Sequence, residues 1–515
     1  MHISPEKLTV TILAMTTFGC VMAQSHPGIT SIRDASLPLS QTREAVCAAN
    51  PATMVYLDSV SLSTVGVSAR YDTQSRAVIR QLGSGGHDFT VDAGSYTRLS
   101  PSSCVWGDAL FRTGVTRDVS WTDCIDYQRV APYVLGDAVG GDISSREYTF
   151  SGGYSRSFGR WTAGAEAAYR AEIAYRDHDP RIKTVVSDLT VCLGASYSVT
   201  SRYALGLDAA IGIYRQNCDL DFYNPINDIN TYPLTGLGTY YKRFTGNNNK
   251  NSGYQSDGFS GGIQLVSKDG NGFNSALRFT HERMEQRLRN YNNLTLASTD
   301  IDNIGFSLSY TAGISSALRF APVADINVDS RKGTENLFGT SSGASYDIIG
   351  KRSNYRYAHR VASLTLPLEV TSGSSVFTPA PRIAWTDTEA RVIDIDRKMH
   401  VSGLAPGMVI DYSRVTDSSL LIQAGASFDY TFNSAPTTEN NIPAQAPTID
   451  IDGLGECVTS NFESLRSDRM AVSIDAGIGK MINHILYSVK LNYRYLDIDA
   501  GIRCHSVALT LGATF

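Results

Sequence analysis

Between Glu147 and Gln216 the chain alternates apolar and polar side chains with a period of two, in long segments joined by the tight steps Gly159-Arg160 and Thr200-Ser201. From Trp161 onward, Ala163, Ala165, Ala167, Tyr169, Ala171 and Ile173 share one face, while Glu166, Arg170, Glu172 and Arg176 share the other. A pleated strand produces this period and a helix cannot. Soluble antiparallel sheets also alternate, so length separates the cases. These runs exceed the usual strand of about five or six residues and match the roughly ten that a tilted strand needs to cross a bilayer. Trp161, Tyr175 and Tyr203 stand near segment ends, where interfacial aromatic girdles sit.

The same rhythm runs from residue 55 to residue 515 and predicts an all-β fold, a transmembrane antiparallel β-barrel of about 18 strands, with about 16 as the alternative. Short periplasmic turns alternate with longer extracellular stretches, and two of these, Asn217–Gln255 and Asn433–Ser467, are expected to fold over the mouth. The weakest strands are those near 55–72 and 87–97 and the pair 376–390 and 402–415, which Pro379, Pro381 and Pro406 interrupt. Lys7, the apolar run Leu8 to Met22 and Val21-Met22-Ala23 read as a signal peptide over 1–23; a lipoprotein signal acylated at Cys20 competes with it. Residues 24–54 read as a periplasmic leader or a short plug. The final strand ends on Phe515 and resembles the signal by which barrel-assembly machinery recognises its clients. The expected location is therefore the outer membrane of a Gram-negative bacterium, with its lipid and that machinery as partners.

A formal net charge of -5 over 515 residues leaves no nucleic-acid footprint. Seven cysteines follow the signal, Cys47, Cys104, Cys124, Cys192, Cys218, Cys457 and Cys504, without CxxC or metal-ligand spacing. Cys104 with Cys124 is one conceivable bridge. HExxH and glycine-rich phosphate loops are both missing, and His281 stands on a predicted outward face without a matching serine. The reading is non-enzymatic, with no cofactor.

Inward faces carry Glu166, Arg170, Glu172 and Arg176, then Arg278 and Glu282, then Lys490 and Arg494. A cation on the lipid side at mid-membrane costs about 2–4 kcal/mol, which directs these charges to the lumen. They either line a channel or form a salt-bridge network that fills a closed barrel. Asp-Ile-Asp recurs at Asp300, Asp394, Asp450 and Asp497, each time at the extracellular end. Asp450 and Asp452, with Glu456 beyond them, form the copy nearest to a Ca²⁺ site; solvated acidic strand ends are the alternative. The lumen reading makes the chain a channel or uptake-accessory barrel for small solutes. The other reading is a barrel with a blocked lumen that docks a surface lipoprotein, a TonB-dependent receptor or a secreted cargo.

Through Ala131-Pro132-Tyr133, Gly140-Gly141-Asp142, the run Glu147 to Tyr154, Tyr169-Arg170-Ala171, Asp179-Pro180-Arg181 and Ser187-Asp188-Leu189, the chain resembles an uncharacterised outer-membrane β-barrel family, a domain of unknown function common in Bacteroidota. The resemblance implies an outer-membrane barrel and transfers no activity or site residue. Such members often accompany TonB-dependent uptake systems, which implies an uptake-system partner. Asn50-Pro51-Ala52 is also similar to fatty-acid-transporter-like barrels, which have fewer strands and longer N-terminal plugs.

Overall fold

The computed structural model describes residues 27–57, 60–224, 229–246, 251–342, 345–435, 441–449, 451 and 453–515. The signal segment lies outside them, as do Asp450 and Asp452. Twenty segments pair into one antiparallel sheet. Leu318–Phe320 continues into Val323–Ser342, and Ser345–Thr365 into Leu368–Ser372, so the wall is a closed, all-β barrel of 18 strands. The first strand, Leu62–Gln74, pairs with the last, Ile502–Thr514, and Ser63 and Phe515 exchange backbone bonds of 2.8 and 2.9 Å. Closure leaves no free sheet edge.

Side-chain period decides which face meets which solvent. In Trp161–Tyr175 the odd positions from Trp161 to Tyr169 are exposed, whereas Thr162 and Ala174 are buried. Outward Leu193 and Leu207 are 62% and 57% exposed, and Ile211, Phe259, Ile478 and Leu511 extend the same apolar band. An uncovered apolar surface of this extent suits a lipid solvent. Paired aromatics rim it, including Trp161 with Tyr197 at 4.8 Å and Phe273 with Tyr310 at 4.6 Å between ring centroids.

Several boundaries differ from those expected. The first strand begins at Leu62 rather than near residue 55, because Pro51–Tyr56 is a 3-10 helix whose start Asn50 caps, its Oδ1 accepting from Ala52 N at 2.9 Å. The proline-rich pair forms complete strands, Ser375–Val392 and Arg397–Val415. Pro379 and Pro381 flank the position opposite the break at Pro367, and the ladder continues through the proline carbonyls, Leu366 N donating to Pro381 O at 2.9 Å. Strand pairing also continues through much of 329–355, where alternation fades. Backbone pairing does not need an apolar face once both faces meet water.

Three outer connections are long, 120–140, 222–251 and 435–468. They turn inward and build a small sheet, Val134–Asp137 with Thr231–Gly236 and Thr239–Tyr240, beside the helix Leu454–Arg466. At the opposite end, the helices Ile29–Ala35 and Pro38–Ala48 and the 3-10 helix pack against the inner wall.

Candidate functional site in the lumen

The lumen is shaped by these two inserts, and each is seated by different chemistry. Asn50 to Ala52 rest on Gly164, Gly194 and Gly206 of three adjacent strands; a Cβ on Gly206 would come within 2.9 Å of Asn50 Nδ2. Gly206 therefore seats the insert rather than leaving free space. Wall side chains donate to insert carbonyls: Ser155 Oγ to Ala52 at 3.1 Å, Arg98 Nη2 to Val55 and Leu57 at 2.8 and 2.9 Å, and Arg33 Nη1 returns the contact to Ser374 O at 2.9 Å. Cys47, Met54, Val55, Leu57 and Cys104 form a small apolar cluster beneath them.

The outer insert has a true core, in which Trp121, Cys124, Val134, Leu234, Leu454 and Cys457 pack with wall residues Val186, Tyr214, Tyr254 and Met284. Asp123 is buried there and accepts from Ser252 Oγ and, at 2.7 Å, Tyr254 OH. Burial raises its carboxyl pKa to about 6. Cys104 and Cys124 are both free and lie at opposite ends of Ser103–Val119. A strand of that length spans on the order of 50 Å, which rules out a bridge between them.

The charged residues read from the sequence divide among three places. Arg170, Glu172, Arg176 and Glu282 gather around loop 120–140. Arg170 pairs with Asp126 and, at 2.9 Å, Glu172; Glu282 pairs with Arg129 at 3.0 Å; Arg129 also reaches Asp188 at 2.7 Å. Arg176 and Asp137 form a pair at 2.7 Å with 0% and 3% side-chain exposure, so Arg176 is sealed behind the loop. Arg278 bonds the Ala49 carbonyl and pairs with Asp208 at 2.8 Å, which ties the N-terminal insert to the wall. Glu166, Lys490 and Arg494 remain beside open space. Glu166 accepts from Trp106 Nε1 at 3.1 Å, and the inward Lys490, Asn492 and Arg494 are exposed although they face the barrel interior.

That space consists of two cavities against one side of the wall. The inner one, about 770 Å³, is lined by Glu166, Asp108, Gln423, Lys490 and the N-terminal insert. The outer one, about 540 Å³, is lined by Arg70, Asp88, Glu147, Glu172 and Arg494. Lys490 and Arg494 lie four residues apart on one face, about 13 Å along the strand, and touch one cavity each. The sequence reading missed the loop partners Asp126, Arg129 and Asp137, because nothing local reveals which wall residue a loop returns to.

Among the described residues the Asp-Ile-Asp copies at Asp300 and Asp394 stand apart, and Asp450 and Asp452 lie outside those residues. Asp300 pairs with Arg283, Asp302 with His281 at 2.7 Å, and Asp394 with Arg352 at 2.9 Å, at separate strand ends. Glu456 pairs with Arg80.

A profile for a family of unknown function, DUF6850, matches residues 51–515. The chain belongs to this family. No curated protein matches it. Among solved structures it is similar to a mutant of the ferric enterobactin receptor PfeA from Pseudomonas aeruginosa, at 8% identity over 88% of this chain and 80% of that one, with a TM-score of 0.38. It is similar as well to the siderophore receptor PiuA from Acinetobacter baumannii, at 7% identity, 88% and 82% coverage and a TM-score of 0.39. The CymD monoaromatic hydrocarbon channel aligns at 8% identity over 95% of this chain and 96% of its own, with a TM-score of 0.31. The family assigns no activity, and the 18-strand barrel is a property of the structure itself.

Proposed function

We propose that this DUF6850 protein is an outer-membrane channel or uptake-accessory barrel, and that small polar solutes pass along one side of its lumen, between the wall and the two inserts. The observation that carries this reading is the exposure of Lys490, Asn492 and Arg494 on an inward face, next to cavities that reach from the N-terminal insert to the outer loops. A lumen packed shut would bury those residues against partners, as Arg176 is buried against Asp137. Polar, hydrogen-bonding walls favour hydrated solutes over apolar ones.

The solid outer insert supports a second reading, in which the barrel is a docking platform and the cavities are blind. Swelling of proteoliposomes separates the two. Entry of a small sugar at a rate above that of protein-free liposomes supports passage, and no entry into vesicles that contain correctly folded, heat-modifiable protein supports the platform.

A further inference from the structure

We infer that the lumen selects cations, and that Asp411 and Asp475 hold a cation at the upper lip of the inner cavity; this rests on the channel reading above. The inner wall carries six carboxylates without an ion-pair partner among the described residues: Asp92, Asp108, Glu166, Asp325, Asp411 and Asp475. Among the described residues Lys490 and Arg494 are the inward cations left uncommitted: Arg98, Arg397 and Arg469 donate to backbone carbonyls, the last two where the outer insert meets the wall, and Arg70, Arg112, Arg278 and Arg382 have carboxylate partners. The unpaired charge bordering the route is therefore acidic, and low-dielectric walls focus such a field along a narrow lumen.

Glycine places these carboxylates. Gly66 stands directly opposite Asp92, Gly94 opposite Asp108 and Gly425 opposite both Asp411 and Asp475. A Cβ on Gly66 would fall 2.7 Å from Asp92 Oδ1, and one on Gly425 would collide with the Asp475 carboxylate. Asp92, Asp108 and Asp475 thus lie over the neighbouring strand. Across Gly425 two acids, Asp411 and Asp475, stand in one row with no side chain between them, their strands about 10 Å apart.

A second feature marks this position. Thr378, directly opposite Asp411 on the same inner face, is 1% exposed, and its hydroxyl has no hydrogen-bond partner. Asn492, directly opposite Asp475, adds an amide oxygen on the other side. A hydroxyl, two carboxylates and an amide in one row across five strands form an oxygen-rich strip suited to a hard cation. Lys490 lies diagonally below Asp475, outside ion-pair distance, and reduces the local charge without neutralising the pair. One pleat toward the inner end, Gln423 donates to Ser36 Oγ of the N-terminal insert at 2.9 Å, so the strip borders the place where the insert meets the wall.

The test is the reversal potential of the reconstituted full chain under a KCl gradient, with and without millimolar Mg²⁺. Wild type should favour K⁺ over Cl⁻ by about threefold or more, and Mg²⁺ should lower its current. An Asp411→Asn/Asp475→Asn variant should move the permeability ratio toward unity and lose the Mg²⁺ effect; heat-modifiable migration of both proteins checks that they are folded. A conducting wild type with anion preference, or a variant with unchanged ratio and Mg²⁺ response, would overturn the inference and leave the channel reading standing. A silent wild type would remove that reading and this inference with it.

Discussion

The two inserts occupy opposite ends of one barrel and are held in opposite ways. The N-terminal insert leans on bare glycine backbone and on side chains that donate to its carbonyls, with a small apolar cluster beneath. The outer insert buries a tryptophan, cysteines and aliphatic residues against the wall and adds the enclosed Arg176–Asp137 pair. Each hydrogen bond donated to an insert carbonyl contributes only about 0.5–1.5 kcal/mol net, because water offers an alternative partner once the insert leaves, but water cannot replace a closed apolar core. The difference makes the N-terminal insert the removable element and the outer insert part of the permanent structure.

The strongest way to break that contrast is deletion. Removing residues 27–57 should leave a folded barrel and raise single-channel conductance several-fold; an unfolded product would show that the insert belongs to the permanent structure too. Next in size is the buried pair. Arg176→Met leaves Asp137 uncompensated and should cost about 3–5 kcal/mol, read as a lower thermal midpoint, whereas Arg98→Met at the N-terminal insert should cost far less. A comparable loss from both would erase the distinction.

A smaller effect is expected at the glycine seat. Gly194→Leu places a side chain where Asn50 Oδ1 now lies, so it should expel the insert and reproduce part of the conductance gain without lowering the melting temperature of the barrel. The smallest effect concerns pH. Burial raises the Asp123 carboxyl to about 6, so the folded loop binds this proton more tightly than the open loop does. Its arrangement is favoured below the ordinary aspartate range and weakens as pH rises through about 6. Protease cleavage within 120–140 should therefore increase over that interval, and Asp123→Asn should flatten the dependence. A response in the N-terminal insert instead would place the pH-sensitive element at the wrong end.

The barrel was legible in the sequence because lipid imposes a rule on every second residue. Leu205, Leu207, Ile211 and Ile213 had to be apolar together, and the strand count of about eighteen followed from repeating that rule. Where lipid stops, the rule stops. The paired extensions through 329–355 and the 3-10 helix at Pro51–Tyr56 have no such alternation to betray them. Inward charges were visible as charges, but their partners were not. Glu166 and Arg170 are four residues apart on one face, yet one meets Trp106 and the other Asp126, through register and loop return. The glycine and aspartate positions behave the same way. Gly425 acquires meaning only when pairing sets it between Asp411 and Asp475.

In the proposed channel a route along the wall stays open with both inserts in place. Single-channel recording of the intact mature chain in a planar bilayer tests it most directly. Small, steady unitary currents at high salt are expected, with no need to remove residues 27–57. A silent bilayer from protein that migrates as a folded barrel, with currents only after that deletion, would contradict it and make the N-terminal insert a complete plug.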